Sequence, residues 1–125
     1  MTTETLPAVV PDGWAPGDYA LRTDRAVVEL RRPLRRRRLV ATGGRFIVGE
    51  SWELLIDTRG AQLRSSSVVL GMRDRLSITG SCEVDGRAGT FSLQGRRIAT
   101  EPDVVLHLWG RVAGARLEIA AEFVR

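Results

Sequence analysis

The chain is predicted to be all-β: an antiparallel barrel of eight strands, with a two-sheet sandwich as the structural alternative. Short segments of alternating polarity run from Tyr19 onward, cut by Gly and Asp about every ten residues, and helical spacing of apolar residues is almost absent. At 125 residues, 43% apolar and 27% charged, the sequence suits one domain with one core. A chain of this size buries roughly two-thirds of its unfolded surface without help from a metal or disulfide. Two domains, collagen-like repeats and wholesale disorder are excluded.

Residues 1–17 read as an N-terminal arm, because Pro7, Pro11, Asp12-Gly13 and Pro16-Gly17 punctuate them closely; residues 18–125 form the barrel. Trp14 is the expected anchor of the arm, since an indole is costly to leave wet. Strands are predicted over roughly 19–31, 37–49, 51–57, 61–70, 75–85, 89–98, 103–112 and 115–124. Turns are placed at Gly43-Gly44, Thr58-Arg59-Gly60, Gly71, Asp85-Gly86, Glu101-Pro102-Asp103 and Ala113-Gly114.

The cleanest alternation lies in 75–85, where Leu76, Ile78, Gly80, Cys82 and Val84 share one face and Arg75, Ser77, Thr79, Ser81, Glu83 and Asp85 the other. In 115–124, Leu117, Ile119, Ala121 and Phe123 point inward and Arg116, Glu118 and Glu122 outward. Trp52, Leu54 and Ile56 oppose Glu53 and Asp57, and the strand after Asp85-Gly86 carries Phe91 and Leu93. In 103–112 both faces are apolar at first, so the inner one stays open between Val104, Leu106 and Leu108 and Val105, His107 and Trp109. A closed barrel is preferred because closure removes edges that an open sheet must protect.

Chemical machinery is sparse. One histidine, His107, and one cysteine, Cys82, cannot build a Cys/His zinc site, and no lysine is present for a Schiff base. No Gly-x-Ser-x-Gly turn or phosphate loop occurs, so no catalytic residue, metal or cofactor is assigned. His107 follows strand alternation as a structural or surface imidazole, Glu118 and Glu122 read as solvated, and Cys82 reads as a buried thiol. The start Met1-Thr-Thr-Glu-Thr-Leu-Pro7 lacks a basic, apolar leader, and no apolar stretch reaches the roughly 18 residues that span a bilayer. A cytoplasmic protein is expected.

The formal charge is +4 and the isoelectric point near 10.8, but most arginines alternate with acids. The exception is the run from Arg31 to Arg38, in which Arg31, Arg32, Arg35, Arg36, Arg37 and Arg38 flank Pro33-Leu34. It reads either as an anion site for a phosphate or lipid headgroup, or as the solvated surface of a hairpin turned at Pro33-Leu34. No aromatic residue is interleaved in the run to stack bases, so specific nucleic-acid recognition is not expected.

Several segments, taken in order, resemble a shortened member of the YceI-like polyisoprenoid-binding family. They are Gly17-Asp18-Tyr19-Ala20-Leu21 leading to Val27-Val28-Glu29-Leu30, then Gly43-Gly44-Arg45-Phe46, Leu54-Leu55-Ile56-Asp57, Leu63-Arg64-Ser65, and Leu76 through Gly80 to Gly86. The family's histidine after the first strand is absent, replaced by Arg31, Arg32 and Pro33, and the later part of the family's length is reduced. The resemblance implies a lipocalin-like barrel of eight strands with an apolar bore holding an isoprenoid. The candidate lining is Phe46, Val48, Trp52, Leu54, Ile56, Leu76, Ile78, Phe91, Leu93, Ile119 and Phe123. Each methylene buried there adds about 0.8 kcal/mol. The same residues also serve a filled barrel, whose work passes to its surface or to the arginine hairpin as an interaction or structural module. A homodimer fits either case.

Overall fold

Where the sequence alternates, the chain forms strands. The computed structural model describes residues 13–99 and 103–125. The strands are β1 (Gly17–Leu21), β2 (Val27–Arg32), β3 (Arg35–Leu39), β4 (Ala41–Val48), β5 (Glu53–Thr58), β6 (Ala61–Leu70), β7 (Arg75–Val84), β8 (Arg87–Ala99), β9 (Val104–Val112) and β10 (Ala115–Val124). Pro7 and Pro11 of the expected arm, and the Glu101-Pro102 part of one expected turn, lie outside the described residues.

These segments make eight barrel staves. A short 3-10 turn at Thr23–Arg25 divides β1 from β2, and Val40 divides β3 from β4, so each pair forms one long stave. β10 pairs with β9 along its length, with β2 through Arg116–Ala120 and with β1 through Phe123 and Val124. The sheet therefore closes, in the antiparallel order β1-β4-β5-β6-β7-β8-β9-β10 and back to β1. Closure decides between the two architectures the sequence allowed: the protein is a barrel, and the sandwich is set aside.

Tight turns set the up-and-down path. Asp85-Gly86 and Ala113-Gly114 have positive φ at both central residues (51° and 82°; 45° and 81°), the backbone a type I′ hairpin demands. Pro33-Leu34 joins β2 to β3, with Leu34 at φ 68°. Gly43-Gly44, expected as a turn, instead lies inside β4 beside a bulge. A Cβ on Gly44 would meet the Leu55 carbonyl oxygen at 2.6 Å, so glycine permits close strand approach there. Closure uses the same device at Gly80, Gly95 and Gly110 in neighbouring strands, where a Cβ would sit 2.1, 2.0 and 2.1 Å from a carbonyl oxygen of the next strand.

Alternation then sorts the side chains. In β9 the inner face proves to be Val104, Leu106, Leu108 and Val112, leaving Val105, His107 and Trp109 outside. Bulges at Ser66 and Ile98 shift the register of β6 and β8, and the one at Ser66 resets the parity of β6. The two barrel ends differ in chemistry. One carries Trp14, the 49–52 and 71–74 loops and Arg125, and is called the arm end. The other carries the turns at Pro33-Leu34, Arg59-Gly60, Asp85-Gly86 and Ala113-Gly114, and is called the hairpin end.

Candidate functional site

The predicted lining residues do converge. Ten of them, all but Trp52, are buried within one core cluster, and Trp52 is half-buried against it. Phe46, Leu54, Ile56, Ile78, Ile119 and Phe123 are each 0% exposed, as are Leu106 and Leu108 from β9. A side chain beside an open bore would border space large enough for water, and these border none. Eight staves enclose a width that side chains alone can fill. Cys82 belongs to the same core, where burial pushes its thiol pKa up.

An aromatic plug shuts the arm end. Trp14 is buried, with ring centroids 5.9 Å from Phe46 and 5.2 Å from Trp52, and Phe46 in turn meets Phe123 at 5.8 Å. Trp14 thus ties the described residues just before β1 to the core. Sequence reasoning missed its partner Arg97, which the alternation of Phe91, Leu93 and Gly95 carries inward just before the bulge at Ile98. The Arg97 guanidinium carbon lies 4.1 Å from the Trp14 ring centroid, an attractive cation–π geometry. Its nitrogens donate to Asp74 Oδ1 at 2.7 Å and to the Gly13 carbonyl, while Nε is buried with no partner among the described residues.

The hairpin end is open and basic. β2 and β3 project beyond β5, and their register pairs Arg32 with Arg35, Arg31 with Arg36, Leu30 with Arg37 and Glu29 with Arg38. The hairpin itself is thus as the sequence read it, with Arg32, Arg35 and Arg37 on the inward-facing parity and Arg31, Arg36 and Arg38 on the outward. Arg37 crosses the barrel mouth and donates to both Asp85 carboxylate oxygens at 2.9 Å. Arg32, Arg35, Arg36, Arg37, Leu30 and Asp85 line a cleft of about 340 Å³. Among the described residues Arg32, Arg35 and Arg38 form no ion pair, whereas Arg31 meets Glu29 at 2.9 Å and Glu118 at 3.7 Å, and Arg36 meets Glu29 at 3.7 Å.

Beside the hairpin, the outer face of β9 and β10 carries a second group, its β9 members on the strand whose inner face the sequence left open. His107 Nε2 lies 3.0 Å from Glu118 Oε2, and the His107 ring is 5.1 Å from that of Trp109. The hydrogen bond with His107 is the main reason the Glu118 carboxyl sits below its ordinary pKa; the His107, Arg31 and Arg36 charges add to it, against the cost of burial. Glu122 is not its partner: it contacts Arg25 at 3.2 Å and interacts with Asp103, whose pKa is raised by that carboxylate. Trp109, 38% exposed, stands between two surface clefts of about 300 Å³ each. Alternation sets His107 and Trp109 on one face of β9, and only register brings Glu118 beside them, which is why no motif along the chain announced the group.

Among the described residues no three His, Cys, Asp or Glu side chains gather to hold a metal, and no helix is long and apolar enough to cross a membrane. Compared with known protein families and with characterised proteins, the chain matches none.

Proposed function

We propose that this protein is a non-catalytic β-barrel that works from its outside, holding an anionic partner against the arginine hairpin. One contrast carries the proposal. The interior packs its side chains against one another, while Arg32, Arg35 and Arg38 stand at the hairpin end without a carboxylate among the described residues. Guanidinium groups in that state favour carboxylate or phosphate oxygens, which they bind through paired hydrogen bonds. An isoprenoid-type ligand, which the YceI-like resemblance implies, would require the Phe46, Leu54, Ile78 and Phe123 side chains to part first.

The test is salt elution from an immobilised polyanion, comparing the protein with a variant carrying Arg32→Gln, Arg35→Gln and Arg38→Gln. The variant is expected to elute at clearly lower salt with an unchanged thermal midpoint, because exposed charges steer association more than they stabilise the fold. Equal elution removes the proposal. Native mass spectrometry of the freshly purified protein supplies the opposing arm: the bare chain mass is expected, and a stoichiometric lipid adduct returns the function to the interior.

A further inference from the structure

Resting on that surface function, the structure also points to the partner's chemistry: we infer that it is single-stranded nucleic acid, laid across the outer face of β9, β10, β2 and β3, with phosphates on an arginine ladder and a base stacked on Trp109. The ladder comes from register. Arg111 pairs with Arg116, Arg116 with Arg31, and Arg31 with Arg36, so four guanidinium-bearing positions stand side by side on four adjacent strands. Strands lie about 4.8 Å apart, so the row runs across the sheet for roughly 14 Å. Like charges directly opposite one another destabilise a sheet unless something neutralises them.

Neutralisation is incomplete, and the gap is at one end. The next row reads Trp109, Glu118, Glu29 and Arg38, and its two glutamates serve Arg31 and Arg36. Arg111 and Arg116, nearest Trp109, form no ion pair among the described residues. They are exposed, and with Arg31 they rim the cleft on one side of the Trp109 indole. Arg75 and Arg96 rim the cleft on its other side.

An exposed indole between two cationic clefts matches a polymer that alternates flat rings with phosphates. An acidic protein surface would satisfy the guanidiniums and leave the ring without a specific role. Base-on-aromatic stacking beside a positively charged track is how single strands are held without sequence preference. A duplex keeps its bases covered and offers Trp109 nothing to stack on. The expectation from sequence that no aromatic residue accompanies the arginines is correct along the run and incomplete in space, since Trp109 arrives from β9.

Fluorescence anisotropy tests this with three labelled probes: a single-stranded oligothymidylate, a duplex of the same length and a poly-glutamate peptide. The single strand is expected to bind most tightly. Trp109→Ala should weaken its binding about tenfold while leaving the poly-glutamate affinity unchanged. Arg111→Gln with Arg116→Gln should lower the slope of log affinity against log salt by about 1.4, the loss of two phosphate contacts on a single strand. Both variants change exposed, outward side chains, and an unchanged thermal midpoint confirms that each is folded. If the three probes bind alike and Trp109→Ala changes none of them, the single-strand assignment fails while the anionic-partner function stands. If no polyanion binds, both fail.

Discussion

The two ends of the barrel use the same residue type in opposite ways. At the arm end Arg97 is buried, stacked on Trp14, bonded to Asp74 and committed to holding the chain in place. At the hairpin end the arginines are exposed, only partly neutralised and tied to the fold mainly through Arg37 and Asp85. A guanidinium therefore belongs to structure or to recognition according to its burial and its partners. The difference predicts that damage at the arm end appears as lost stability, and damage at the hairpin end as lost binding.

The largest effect is expected from Trp14→Ala. It removes the ring that Phe46, Trp52 and Arg97 all contact, and truncating a buried aromatic costs about 3–5 kcal/mol. Urea unfolding should show this as a lower midpoint with little change in slope, and a loss below about 1 kcal/mol would mean that the plug is ornamental. Next comes Asp74→Asn, which leaves the buried Arg97 charge without its carboxylate. Asp74 is itself 40% exposed, so water can partly replace it, and the expected loss is about 1–3 kcal/mol by the same measurement. Adding Arg97→Met to Asp74→Asn should recover much of that loss, because an apolar side chain needs no counter-charge.

Most of this architecture was legible in the sequence, for a physical reason. Where one face is buried and the other wet, as in β7 and β10, polarity alternates and the strand declares itself, including which residues face the core. β9 hid its inner face because Val105 lies outside and adds an apolar residue to the polar side. The break at Thr23–Arg25 stayed hidden because a short 3-10 turn leaves the surrounding strand pattern almost intact. Gly43-Gly44 misled in another way, since glycine serves close strand approach as well as turns. The core set and the hairpin were readable along the chain; the ladder and its indole were not, because cross-strand neighbours depend on register.

At the hairpin end the effects shrink. Arg37→Gln removes a pair whose side chains are 46% and 42% exposed, and such surface pairs contribute about 0.2–1 kcal/mol. A thermal melt should barely move, while salt elution from a polyanion should still shift; a large drop in stability would mean that the mouth-crossing arginine belongs to structure after all.

Glu118 gives the smallest effect on stability and the sharpest test of the contrast. The His107 hydrogen bond, with help from nearby positive charge, holds its carboxyl below the ordinary glutamate value of 4.5. A carboxylate whose pKa is lowered by folding stabilises the folded state above its unfolded value and loses that contribution as pH falls through the folded one. Glu118 should therefore contribute a slight part of the acid-side decline of the thermal midpoint from about pH 5 downward, a part that Glu118→Gln removes while Asp18 and Glu122 keep theirs, and that solvent reduces because the side chain is 45% exposed. The same substitution removes one of the two carboxylates that Arg31 faces. Single-strand affinity should consequently rise at neutral pH, most visibly at low salt, even as the fold loses a little stability. A variant that is less stable and also binds more weakly would show that Glu118 orders the ladder for its partner, and would join structure to recognition where the two ends otherwise keep them apart.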